Sequence, residues 1–343
     1  MRLQRIQVTT KPTETDPSGL QPVPKKAHHG LLSGKGSGGI LDTAFRVLVT
    51  AAAFSILAIV LLVLYELVKQ SDLSINAFGW KFFRSENWDP VAGDFGALPF
   101  IYGTIVSSLL ALFMAVPLGI GVAVFLTEIC PRGLRGLIAY FVELLAAIPS
   151  VIYGLWGIFI LAPLLREHVQ PFLAKYFKWT GLFDGPFLGI GMLAAGVILA
   201  IMIVPFISSI TREVMLAVPS SQREAVLALG ATRWEMIRMA VLRNARAGVF
   251  GGVILALGRA LGETMAVTML IGNRPEIAKS LFAASHTMAS VIANEFTEAT
   301  EDIYLSALVE IGLALFIVTI IVNGIAQFLI WTITRGHKAG SHA

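Results

Sequence analysis

Arg259 and Glu263 stand four residues apart in the stretch LALGRALGETMAV, inside an apolar run from Ala247 to Asn273. Arginine presents a rigid fork of donors that matches a tetrahedral oxyanion. A nearby carboxylate accepts from the hydroxyl of a protonated anion and repels a fully ionised one. Near the centre of a membrane helix each charge costs on the order of 2.5 to 3.5 kcal/mol, so both are expected to face a bundle interior or a hydrated path. Counting about 100° per residue from Gly248, Arg259, Glu263, Gly252 and Ala266 all fall within roughly 60° of one another, opposite Phe250, Leu257 and Leu261. Small residues on the charged side let another helix approach closely. Two readings remain: a structural ion pair that orients the bundle, or a solute pathway. The second gains from the fact that an apolar pair of similar volume would usually stabilise as well as a buried ion pair.

A second group lies in residues 212–246. In SQRE, Ser221 can cap a helix whose Glu224 reaches back to the cap, and in TRWE, Thr232 and Glu235 repeat the pattern. Gly230 between them suits the left-handed conformation that ends a helix. The spacing therefore predicts a two-turn helix over 222–229, a sharp turn, and a second helix entering the next span. So short a helix needs a partner surface. Its Ala225, Leu227, Ala228 and Leu229 form a small apolar knob for another protein, or for the bilayer surface if the helix is interfacial.

Other polar residues carry weaker expectations. Glu143 lies less than three turns from one end of its span, where hydration is expected, and Glu310 is likewise expected to be hydrated near the end of the last span. Pro149 within a span frees a carbonyl and permits a bend at which gating could occur. His286 has no companion at metal-ligand spacing and reads as an ordinary surface histidine. Trp80, Phe82, Phe83 and Trp88 suit either an interfacial aromatic belt or contact with a partner, and the sequence does not choose. GLLSGKGSGG has the wrong glycine spacing for a phosphate-binding loop, Gly36 stands where Ser or Thr is required, and no strand precedes it, so it reads as a linker.

The elements that must position these residues follow from composition. Of 343 residues 56% are hydrophobic and 14% charged, and the mean hydropathy is +0.76, which places the chain among membrane proteins. A single cysteine, Cys130, excludes an intrachain disulfide. The first 40 residues are polar and rich in Gly, Pro and Ser, with no apolar core of a signal peptide, and read as a disordered tail. Six apolar runs follow, at 47–67, 95–127, 136–165, 185–211, 247–273 and 304–334, each long enough to cross a hydrocarbon core as helix. The fold expected is an all-α membrane protein: a six-span domain over 41–335, with the loop 212–246 inside it and a short tail at 336–343. With the N-terminus inside, the cytoplasmic pieces hold 17 of the 26 Lys and Arg residues and the external pieces 8, so both termini are expected in the cytoplasm. The net charge of +4 is thereby a topology signal, and nucleic acid is not an expected partner.

With those elements in place, EAVLALGATRWEMIRMAVL resembles the coupling loop of type I ABC importer permeases. Glu224, Ala225, Gly230 and Leu242 match its pattern, whereas Val226, Ala240 and Arg243 stand where Ala, Ile and Pro are usual. LGRALGETMAV, PSVIYGLWG and LTEICPRG are similar to the PstC-type permeases of phosphate-specific ABC importers, over about residues 45–335. The resemblance implies a permease that works by alternating access in the plasma (inner) membrane. Arg259 and Glu263 would be implicated in transport, and Glu224, Ala225, Leu227, Ala228 and Gly230 in docking to an ATPase. It further implies a second homologous permease, two ATPase subunits that hold ATP and magnesium, and an extracytoplasmic phosphate-binding protein. The chain itself is expected to bind no cofactor or metal and to catalyse no reaction alone. Importers of sulfate or molybdate, and less closely an ion-coupled secondary transporter, are the alternatives.

Overall fold

The computed structural model describes residues 38–335, with side chains from 42 to 332. The polar tail up to residue 37, with all but the last two residues of its linker-like GLLSGKGSGG, and the tail at 336–343 lie outside the described residues. Among those described, the regular structure is helical and β pairing is confined to two isolated bridges. Six helices are long and apolar enough to cross a membrane, so the chain is a multi-pass membrane protein.

The described residues divide into two units between Ile59 and Val60. In the first, the described structure is the leading part of helix α1 (Gly38–Gln70), whose side chains from 42 to 59 are all exposed. Helix therefore begins at 38, three residues inside the expected tail.

In the second unit, α2 (Asp72–Phe78) and a looped stretch lead to the long helix α3 (Leu98–Ile129). Helix α4 (Arg132–Ala147) comes next and stops short of the third span. Ile148 and Pro149 are extended, with ψ of 129° and 139°, and α5 (Ser150–Thr180) starts afresh after them. The expected single span 136–165 is thus two helices. Proline's ring disfavours the α conformation at the preceding residue, and here Pro149 separates α4 from α5 and precedes the first turn of α5, where its missing N–H costs nothing. It is a helix junction, and the bend inside a continuous span does not exist. Glu143 sits in the penultimate turn of α4, half-exposed, and pairs with Arg212 at 3.3 Å.

Helix α6 (Met192–Leu216) is the centre of the bundle, with two thirds of its most apolar window buried. Lipid is as apolar as Leu, so helices in a membrane associate through close packing. The glycines show this directly. A Cβ on Gly119 of α3 would stand 2.8 Å from Ile207, and one on Gly248 of the fifth span 2.5 Å from Val214. The small-residue face predicted from the sequence is therefore spent on contact with α6, and Gly252 likewise faces Ile210.

After α6 come α7 (Ser220–Ala228), α8 (Arg233–Leu261), α9 (Met265–Leu270), α10 (Met288–Glu295) and α11 (Asp302–Arg335). The expected span 247–273 is thus broken: α8 begins earlier and ends at Leu261. At the end of the bundle where α3 starts, Phe82, Trp88, Phe95 and Phe100 pack with Met288, Val291 and Leu308 into a second core. The Trp88 indole donates to Glu295 Oε2 at 2.8 Å, and the Tyr304 hydroxyl donates to the same oxygen at 2.6 Å. Phe82 and Trp88 are therefore neither a lipid belt nor a contact surface, while Trp80 is 79% exposed.

Candidate functional site

Helix α8 runs out at a glycine. Gly262 (φ −95°, ψ 1°) caps it, Glu263 and Thr264 lie outside any helix, and α9 starts at Met265. Glycine has the lowest helix propensity after proline, and LGRALGET places one at 258 and another at 262. Arg259 consequently occupies the last turn of α8, whereas Glu263 lies beyond the helix end. The helical-wheel placement of Glu263 beside Arg259 fails for that reason, and none of the four ion pairs among the described residues joins them. The guanidinium instead lies over the ring of Phe206 in α6, 4.5 Å from its centroid, and its Nε is buried without a hydrogen-bond partner among the described residues. The aromatic face attracts the cation, and stacking leaves the in-plane donors free for another ligand.

Three neighbours complete this region. Tyr153 is buried and donates through its hydroxyl to the Leu145 carbonyl at 2.7 Å. That bond ties the start of α5 to the end of α4 across the Pro149 junction. Gly154 and Gly157 follow on the next turn, where a Cβ would stand 2.4 Å from Met269 and 2.4 Å from Leu270 of α9. PSVIYGLWG and GRALGETMAV, far apart in sequence, are thus packed on each other. Asn323 of α11 lies beside Gly258, and its Oδ1 is buried without a partner among the described residues. No sequence signal marks Phe206 or Asn323, because neither is unusual in its own span and only packing brings them to α8.

The chain from 271 to 287 folds back into the bundle. Met192 and Leu193 donate to the Ala283 and Leu281 carbonyls, and Ser285 donates to Ile271. His286 is 2% exposed, hydrogen-bonded through Nδ1 to Ser290 at 2.6 Å, and set edge-on to Phe100. It is no surface histidine, and burial pushes its pKa down to about 4. Glu310 is also buried, at 1% exposure, beside Ser74, so its expected hydration is not found. Both misplacements come from reading loop and helix-end positions as surface, when α3 packs over His286 and α2 over Glu310.

At the end of the bundle where α3 finishes, α7 projects with Glu224, Ala225, Leu227 and Ala228 exposed. Pro219 precedes it and Ser221 makes no cap, so the first expected capping box does not form and the helix starts two residues early. The second box does form: Thr232 Oγ1 accepts from the Glu235 N–H, and Glu235 Oε2 accepts from the Thr232 N–H at 2.8 Å. Gly230 takes φ +84° and donates to the Leu227 carbonyl, ending α7 as its sequence requires. A cleft of about 680 Å³ beside α7 is lined by Leu227, Trp234, Arg132 and Arg135.

Similarity to known proteins agrees with this layout. The family described as binding-protein-dependent transport system inner membrane component matches residues 115–333. The phosphate transport system permease protein PstC of Mesorhizobium japonicum is 50% identical over 298 residues, covering 86% of this chain and 91% of that protein. Its counterpart in Xylella fastidiosa (strain 9a5c) is 47% identical over 299 residues, covering 86% and 92%. Among solved structures, a chain of a bacterial ABC transporter involved in the import of alginate, an acidic polysaccharide, superposes with a TM-score of 0.59 at 17% identity. It covers 85% of this chain and 98% of that one, a likeness of fold. Helices broken at Pro149 and Gly262, a projecting two-turn helix ended by Gly230, and matches over most of the length all point one way: the chain belongs to the binding-protein-dependent inner membrane transport components, within their PstC permeases.

Proposed function

We propose that this chain forms one half of the membrane pathway of an ATP-driven phosphate importer and receives the motion of a separate ATPase through α7. The observation that carries the reading is Arg259: a cation in a membrane helix, stacked on Phe206, with a buried Nε that no described protein group satisfies. An arginine so held offers its donors to a passing oxyanion, and the lack of a carboxylate partner among the described residues keeps its charge available. Glu263, just past the helix end, opposes the anion and keeps its residence short. Identities of 36 to 50% to proteins named as phosphate transport permeases support phosphate as the anion.

Glu224, Ala225, Leu227, Ala228 and Gly230 form the exposed surface that docks on the ATPase, where ATP and magnesium bind, and this chain holds no nucleotide itself. A second related permease completes the pathway, and a phosphate-binding protein delivers solute at the end bearing Trp80. The sequence count, 17 Lys and Arg residues in the pieces expected inside against 8 in those expected outside, supports a cytoplasmic α7 and cytoplasmic termini.

Uptake of radiolabelled phosphate at limiting concentration, in cells lacking other phosphate importers, tests the reading. Uptake should require this chain, resist excess sulfate or molybdate, and disappear with Arg259→Met. Unchanged uptake without the chain refutes it, and strong competition by sulfate reassigns the anion.

A further inference from the structure

Most of α7 is exposed, and Arg223 and Val226, one turn apart, are its two half-buried residues. Val226 packs on the cluster formed by Met215, Val218, Met236 and Ile237. Arg223 reaches further. Its Nε and Nη2 lie 3.3 and 3.2 Å from the same oxygen of Glu128, Nη2 also donates to the Met215 carbonyl at 2.7 Å, and Nη1 donates to the Val218 carbonyl. The pair is largely shielded from water, with side-chain exposures of 19% and 10%. Every nitrogen of the guanidinium is thus engaged.

The topology gives this bridge a specific consequence. α7 is joined covalently to α6 through 217–219 and to α8 through 229–232, so both must follow when it moves. α3 has no such link: Glu128 is in its last turn, 95 residues away in sequence. Yet α3 carries Gly119 against α6 and contributes Ala111 and Ala115 to the central core. We propose that Arg223 is a positioning residue, a strut through Glu128 that makes α3 move together with α6 and α8 when α7 is displaced. The proposal rests on the function given above. A carbonyl-anchored arginine that closes two donors on one carboxylate oxygen suits the task because its planar group fixes direction as well as distance.

The test uses the complete transporter, this chain with its partner subunits and binding protein, in proteoliposomes, and reads phosphate moved per ATP hydrolysed. Glu128→Gln and Arg223→Gln should leave the ATPase bound and hydrolysing, while the ratio falls roughly tenfold; Arg223→Lys, which keeps the charge but not the fork, should fall between. A merely structural role predicts a lower melting temperature with the ratio unmoved. A ratio within about twofold of the wild type in the assembled variants overturns the strut, as does loss of assembly in all three. A wild-type complex that hydrolyses ATP but moves no phosphate refutes the proposed function itself, and the strut with it.

Discussion

Replacing Arg259 by Met should cost transport but not stability. A cation at the centre of a membrane helix is unfavourable by about 2.5 to 3.5 kcal/mol on the insertion scale, an upper bound for Arg259 in the last turn of α8. Stacking on an aromatic ring returns about 0.5 to 2 kcal/mol of that. No carboxylate among the described residues returns the rest, because Glu263 lies past the end of α8 and makes no ion pair with Arg259. The difference, about 0.5 to 3 kcal/mol, is the most that Arg259→Met can add to stability, and hydration of the guanidinium reduces it. Met matches the length of the aliphatic stem, so packing against Phe206 is largely kept. Equilibrium unfolding in mixed micelles should show the variant unchanged or stabilised, with phosphate uptake abolished. A double-mutant cycle with Glu263→Gln should give a coupling energy below about 0.5 kcal/mol. Destabilisation of Arg259→Met by more than about 1 kcal/mol, together with strong coupling in the cycle, would refute this, because the two residues would then form a structural ion pair.

Two further outcomes follow from local packing and burial. A Cβ on Gly103 would stand 2.1 Å from the His286 carbonyl oxygen, which is backbone and cannot step aside, whereas Gly121 in the same helix faces open space. Gly103→Ala should therefore lose at least about 1 to 3 kcal/mol, and Gly121→Ala should gain up to about 1 kcal/mol from helix propensity, both read by thermal unfolding. His286, with its pKa lowered from 6.5 to about 4, binds its proton less readily when folded than when unfolded. Stability should be level above pH 6.5 and fall as pH drops towards 4, by about 3 kcal/mol at most, and His286→Gln should flatten that dependence in a pH series of unfolding curves.

Local chemistry is legible in the order of the residues alone. Gly230 ends α7 and Thr232 with Glu235 boxes the start of α8, because capping depends only on residues within one turn. The number of spans follows from hydropathy, since a helix that satisfies its own backbone is the form an apolar run must take in lipid. Helix periodicity also places Gly248 and Gly252 on a packed face.

What periodicity could not supply was where a helix stops. The sequence holds both Pro149 and Gly262, but either residue is compatible with a kinked span or a full break. The choice fell to tertiary packing: Tyr153 bonded to Leu145 across the first junction, and Gly154 and Gly157 seated against α9 beyond the second. That second break separates Arg259 from Glu263 and hands the guanidinium to Phe206. Burial of His286 and Glu310 was equally beyond the sequence, because their covering segments are distant in the chain. Sequence determined which short-range elements form and how many times the chain crosses the membrane. Only the tertiary structure decided which charges meet, since partners such as Arg223 and Glu128 are chosen by the packing of whole helices.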